Sequence, residues 1–111
     1  MEIKEQQCGA VTVLRPEGPL KGEDADAFRR QVIERHAATL GRCVVDASAM
    51  QYVDSQGLEA LVEANDEVAQ TGQALKLCGV NETVRQVLEL TQLASRFEHF
   101  ADVNAAVRSF L

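Results

Sequence analysis

The stretch that most constrains this chain runs over residues 44–58, VVDASAMQYVDSQGL. The apolar run Cys43-Val44-Val45 is long enough for a buried strand and too short for a helix. It ends at Asp46, and a small loop, Ala47 to Val53, follows. Asp54-Ser55-Gln56-Gly57 then opens an amphipathic segment that begins at Leu58. Ser55 therefore stands where a strand-following loop becomes a helix. A serine there is expected to cap the helix by accepting a backbone N–H. Its hydroxyl would also lie at the positive end of the helix dipole, where an added phosphate is favoured.

The rest of the chain repeats this alternation. Ile3–Gln7 is a weak strand candidate and Val11-Thr12-Val13-Leu14 a better one, paired as a hairpin through a turn at residues 7–10. Pro16 and Pro19 are expected to end it. Gly22-Glu23-Asp24-Ala25 starts a first helix, with Ala25, Phe28, Val32 and His36 on one face. Acids in its first turn, Arg35 and His36 near its end, and Gly41 beyond agree with dipole and capping rules.

The second helix is expected from Ser55 to about residue 70, burying Leu58, Leu61, Val62, Asn65, Val68 and Ala69. Ala74 to Cys78 reads as a strand. Asn81 caps a third helix with Val84, Val87 and Leu88 inward. Residues 93–100 are irregular or hold a short edge strand, and Asp102 caps a last helix facing inward through Val103, Ala106, Val107 and Phe110. Strands alternating with helices imply right-handed parallel crossovers. The expected fold is a single α/β domain: a mixed sheet, parallel in the centre, its first strand antiparallel at one end, with about four helices.

Several functions fit poorly. A net charge of −6 argues against binding nucleic-acid backbones. No apolar stretch reaches membrane-spanning length, and the amino end lacks signal-peptide character, so a cytoplasmic location is expected. Cys8, Cys43 and Cys78 form no Cys-x-x-Cys pair and are expected to be free thiols in or beside strands. His36 and His99 lack companions at ligand spacing, so no metal site is expected, and no cofactor. Ser55 is not in a Gly-x-Ser-x-Gly setting, since Val53 and Gly57 flank it at two residues, and an enzymatic role is not expected. The isolated glycines form no phosphate-cradling loop.

Asp46-Ala47-Ser48, Tyr52-Val53 and Asp54-Ser55-Gln56-Gly57-Leu58 follow one another in the order and spacing of a known signature. Gly79-Val80-Asn81 and the run from Val84 to Leu93 extend the match. The chain resembles STAS domains, in particular the bacterial anti-sigma-factor antagonists. That resemblance implies a mixed α/β sheet and a serine, here Ser55, phosphorylated by a partner kinase. It implies a partner switch: the unmodified form binds a kinase-type anti-sigma factor, phosphorylation releases it, and a serine phosphatase resets it. The alternative is a non-switching STAS subunit of a lipid-transport ABC system or a stress-signalling assembly.

Candidate partner contacts are Lys21, Asp24, Asp54, Gln56, Gly57, Glu59 and Glu63. Glu59, Glu63 and Glu67 are spaced i, i+4, i+8 on the second helix. Like charges so placed destabilise a helix by roughly 0.2–0.5 kcal/mol per pair, and no basic residue within that helix relieves them. Such a row is either a plain solvated face or a docking face for a basic partner surface. Lys21 departs from the resemblance, which has an acidic residue in that loop.

Overall fold

The computed structural model describes residues 1–111. Its first two elements are strands β1 (Glu2–Cys8) and β2 (Val11–Glu17), joined by a tight turn at Gly9-Ala10. Helix α1 (Asp24–Ala38) leads to β3 (Cys43–Asp46), and α2 (Ser55–Ala69) leads to β4 (Lys76–Cys78). Then come α3 (Glu82–Leu90), a single 3₁₀ turn (Ala94–Arg96), β5 (Glu98–Phe100) and α4 (Val103–Arg108). The five strands form one sheet in the order β1-β2-β3-β4-β5. Only β1 is antiparallel to its neighbour.

Strand alternation divides the core between the two faces of this sheet. Leu14, Cys43, Val45 and Leu77 point to one side, where α1, α2 and α3 bury Phe28, Val32, Leu61, Val68, Val84 and Leu88 against them. Val11, Val44 and Cys78 point to the other, under Ala106 of α4, with Val103, Val107 and Phe110 partly buried around it. All four residues of β3 are buried, as a parallel strand covered on both faces requires.

The predicted face of α1 is the buried one: Ala25, Phe28, Val32 and His36. The predicted face of α2 is displaced. Leu61, Asn65 and Val68 are buried, but so are Gly57, Ala60 and Ala64, while Leu58 and Val62 are half-buried and Ala69 is exposed. A hydrophobic stripe assumes a helix facing the sheet alone. Here α2 also packs along α1, and small residues are what let two helices approach closely.

Pro16 does not end the hairpin. It lies inside β2 opposite Ile3. Pairing of β2 with β3 stops at Leu14↔Val45, so Pro16 sits past the stretch where the β3 ladder would need its missing donor.

The fourth strand begins at Lys76, later than expected. The backbone N–H of Leu75 donates to the buried Asn65 side chain at 2.8 Å. Asn65 Nδ2 in turn donates to the Arg96 carbonyl at 3.1 Å. One amide thus ties α2 to the start of β4 and the segment before β5. No helix is long and apolar enough to cross a membrane.

Candidate functional site

The site forms where the loop after β3 enters α2. Met50 and Val53 are buried and anchor that loop from within. From outside, Asn81 Nδ2 donates to the carbonyls of Met50 and Gln51 at 3.0 and 3.1 Å, while its Oδ1 accepts from Val84 and caps α3. At the start of the loop, Asp46 accepts the Ser48 N–H at 3.0 Å.

A second segment crosses this one. Leu20 and Val53 form a parallel bridge. Leu20 donates to the Tyr52 carbonyl at 3.0 Å and accepts from the Asp54 N–H at 3.2 Å. Its carbonyl lies against Gly57, so that a Cβ on Gly57 would overlap it. Gly57 in the first turn of α2 is therefore a packing requirement, which offsets its roughly 1 kcal/mol propensity cost relative to alanine.

The cap of α2 is Asp54, not Ser55. Asp54 has extended backbone dihedrals, and its Oδ1 accepts from the Gly57 N–H at 2.8 Å. Its Oδ2 accepts from the Gly22 N–H at 3.1 Å. A single carboxylate thus closes the helix end and pins the loop before α1. Asp54 presents two acceptor oxygens where serine offers one hydroxyl, and two donors converge on it. Ser55 is left as the first helical residue, exposed to solvent and free of the capping duty.

Gln56 and Glu59 are exposed beside it. Together with Asp26, Arg29 and Glu63 they line a shallow groove of about 270 Å³ between α1 and α2. The acidic ladder is less isolated than the sequence suggests. Arg29 of α1 reaches Glu63 with Nε 3.3 Å from Oε2. Its Nη2 donates to Asp26 Oδ1 at 2.6 Å, and this hydrogen bond holds Asp26 below the usual carboxylate range and raises Arg29. The relief comes from a neighbouring helix, which a reading confined to α2 could not find. Glu59 and Glu67 remain exposed and make no ion pair.

Lys21 lies with its Nζ 5.9 Å from the Tyr52 ring centroid, and both side chains are exposed. Asp24 is set apart from the groove, its Oδ1 3.0 Å from the Met1 amino group. The structure therefore gathers Lys21, Asp54, Ser55, Gln56, Gly57, Glu59 and Glu63 at one edge and leaves Asp24 beside it. Sequence reasoning missed Asp26, Arg29 and Tyr52 as members. Only Tyr52 carried a signal, as an aromatic in an otherwise small loop.

Other polar groups serve the fold. His36 Nε2 meets Gln73 Oε1 at 3.0 Å, and His99 Nε2 donates to the Ala94 carbonyl at 2.7 Å. Burial pushes the Cys43 and Cys78 thiols up to about 12, and the Asp46 carboxylate adds to the effect at Cys78.

Fold and surface together define an α/β module that presents the start of one helix, and the two loops crossing it, to solvent. The chain belongs to the STAS domain family, whose pattern matches residues 2–106. Its fold is shared with a candidate anti-sigma factor antagonist of Thermotoga maritima, at 22% identity and a TM-score of 0.85, covering 96% of this chain and 92% of that one. It is shared too with the anti-sigma factor antagonist SpoIIAA in its unphosphorylated form, at 17% identity and a TM-score of 0.74, covering 98% and 96%. A third similar structure is the murine anion transporter Slc26a9, at 20% identity and a TM-score of 0.76, where 94% of this chain matches 18% of the transporter. No curated protein sequence matches the chain.

Proposed function

We infer that this chain is an anti-sigma-factor antagonist working as a phosphorylation-controlled partner switch. The observation that carries the reading is Ser55, exposed at the first position of α2 and relieved of capping by Asp54. The hydroxyl is available to a kinase without dismantling the helix end. SpoIIAA, which shares the fold, is known in both unphosphorylated and phosphorylated forms.

In the unmodified state, Gln56, Glu59, Glu63 and the Lys21–Tyr52 pair would meet a kinase-type anti-sigma factor. The partner transfers the γ-phosphoryl group of ATP to Ser55 Oγ, the hydroxyl proton leaving to a base on the kinase. The product gains about −1.5 to −2 charges at the contact. Within the free domain the helix dipole favours that charge by about 0.3–1 kcal/mol. In a fitted complex the phosphate must shed water beside Asp54 and Glu59, a cost of several kcal/mol. The second effect is larger, so modification releases the partner. A serine phosphatase restores binding. The domain itself supplies no catalysis and acts in the cytoplasm.

The test is incubation with the kinase-type anti-sigma factor and ATP, followed by peptide mass analysis. One phosphate on the peptide carrying Ser55, abolished in Ser55→Ala, is expected. Stable co-purification with an ATPase or scaffold assembly and no modification of Ser55 would put the constitutive-subunit reading in its place.

A further inference from the structure

Lys21 is the one lysine without a fixed polar partner. Lys4 lies 3.6 Å from Glu17, and Lys76 donates to Ser109 at 2.6 Å with its charge 4.0 Å from the Phe110 ring centroid. Lys21 has only the face of Tyr52, at 5.9 Å. That is the outer edge of the cation–π range and a weak hold at an exposed site.

Its backbone, by contrast, is fixed from both sides. The preceding residue, Leu20, accepts the Asp54 N–H, and the following residue, Gly22, donates to the Asp54 carboxylate. A flexible four-carbon stem thus starts beside the residue that precedes Ser55 and ends in an uncommitted ammonium. Arg29, the other cation at this edge, is already held by Asp26 and Glu63.

We propose that Lys21 is the internal counter-ion of a phosphate on Ser55: modification draws its ammonium off the Tyr52 ring and onto the phosphate. This rests on the switch reading and specifies how the switch operates. Modification then changes two surface features at once. It adds an anion at Ser55, and it bares the face of Tyr52 that the unmodified form keeps under a cation. A partner fitted to the Lys21–Tyr52 pair then finds the cation gone from the ring and an anion beside it. The phosphate is a far stronger attractor for an ammonium than a ring face, because ion pairing with a dianion adds charge-assisted hydrogen bonds.

The test uses the full chain with phosphoserine incorporated at position 55 during synthesis, so that no kinase is needed. Phosphorus NMR follows the second ionisation of the phosphate in this protein and in Lys21→Gln. Asp54, Glu59, Glu63 and Asp26 oppose ionisation and Arg29 favours it, all equally in both proteins, so the difference reports Lys21. A midpoint lower with Lys21 present, by about half a pH unit, is expected. A second readout is Tyr52, the only tyrosine in a chain without tryptophan. Lys21→Gln should change its fluorescence in the unmodified protein and leave it unchanged once Ser55 carries phosphate. Equal midpoints in the two proteins, or a Tyr52 response to Lys21→Gln that is the same in both states, would overturn the pair. The switch itself is read separately, by phosphate incorporation from the partner.

Discussion

Single residues at the site have separable jobs. Since Asp54 is the cap, Ser55→Ala should leave thermal stability within about 0.5 kcal/mol of wild type. Asp54→Ala should cost about 1–2 kcal/mol, at or above an ordinary cap, because it frees both the Gly57 and Gly22 N–H groups. Chemical denaturation of the two variants checks this, and the reverse ranking would return the cap to Ser55. Gly57→Ala must push the Leu20 carbonyl away from the helix. A loss of about 1–3 kcal/mol is expected, against a gain of about 1 kcal/mol from propensity alone.

The cysteines give a residue-scale prediction in pH. Burial keeps the Cys43 and Cys78 thiols protonated to about pH 12 in the folded chain. Unfolded, they ionise near pH 8.5. The folded state therefore holds more protons above that point, and stability falls as pH rises from about 8.5 towards 12. A denaturation series in which Cys43→Ala with Cys78→Ala flattens this fall supports the assignment. Alkylation of the native protein should reach half-buried Cys8 first.

At the scale of elements, α2 has three neighbours that differ in kind. Its sheet-facing side is apolar, and Leu61 is 1% exposed. Leu61→Ala should cost about 2–5 kcal/mol, read from the denaturation midpoint. At its start Gly57 packs on the Leu20 carbonyl, and Ala60 lies in the groove shared with α1 beside the Arg29–Glu63 pair. That pair is partly exposed and screened by solvent, so breaking it with Arg29→Met should leave the denaturation midpoint little changed. Its solvent side carries Glu59 and Glu67. Charge reversal at Glu63 would place a second cation against Arg29, which confounds any binding result. Glu59→Lys is the cleaner probe of the proposed docking face. It should weaken partner affinity and reduce its dependence on salt. Equal affinity and an equal salt slope at two ionic strengths would remove Glu59 from the interface.

For the whole molecule, the sheet order brings two chain segments more than thirty residues apart to one edge. Leu20 and Gly22 precede α1, Asp54 precedes α2, and β2 lies directly beside β3. The proposed switch rests on that adjacency. Ser55→Asp should keep the fold and lose the partner, while Ser55→Ala should bind and resist release. Affinity measured for both against wild type decides, and Ser55→Asp binding as tightly as wild type, with the phosphoserine form doing the same, would sink the switch.

Sequence by itself determined the alternation of strands and helices, the antiparallel first strand, the buried face of α1, and the caps at Asn81 and Asp102. These follow from local periodicity and from short polar side chains that bond their own backbone. It also placed Ser55 at the start of α2. Tertiary structure alone decided which residue caps that helix, because the choice of Asp54 depends on the Gly22 N–H arriving from another segment. Packing on α1 likewise decided the phase of α2. Arg29 relieves an acidic row that looked unrelieved within its own helix, and the fold sets Lys21 over Tyr52. Periodicity reports one face of one element. Which cation or carbonyl meets that face is fixed only when a distant part of the chain is brought against it.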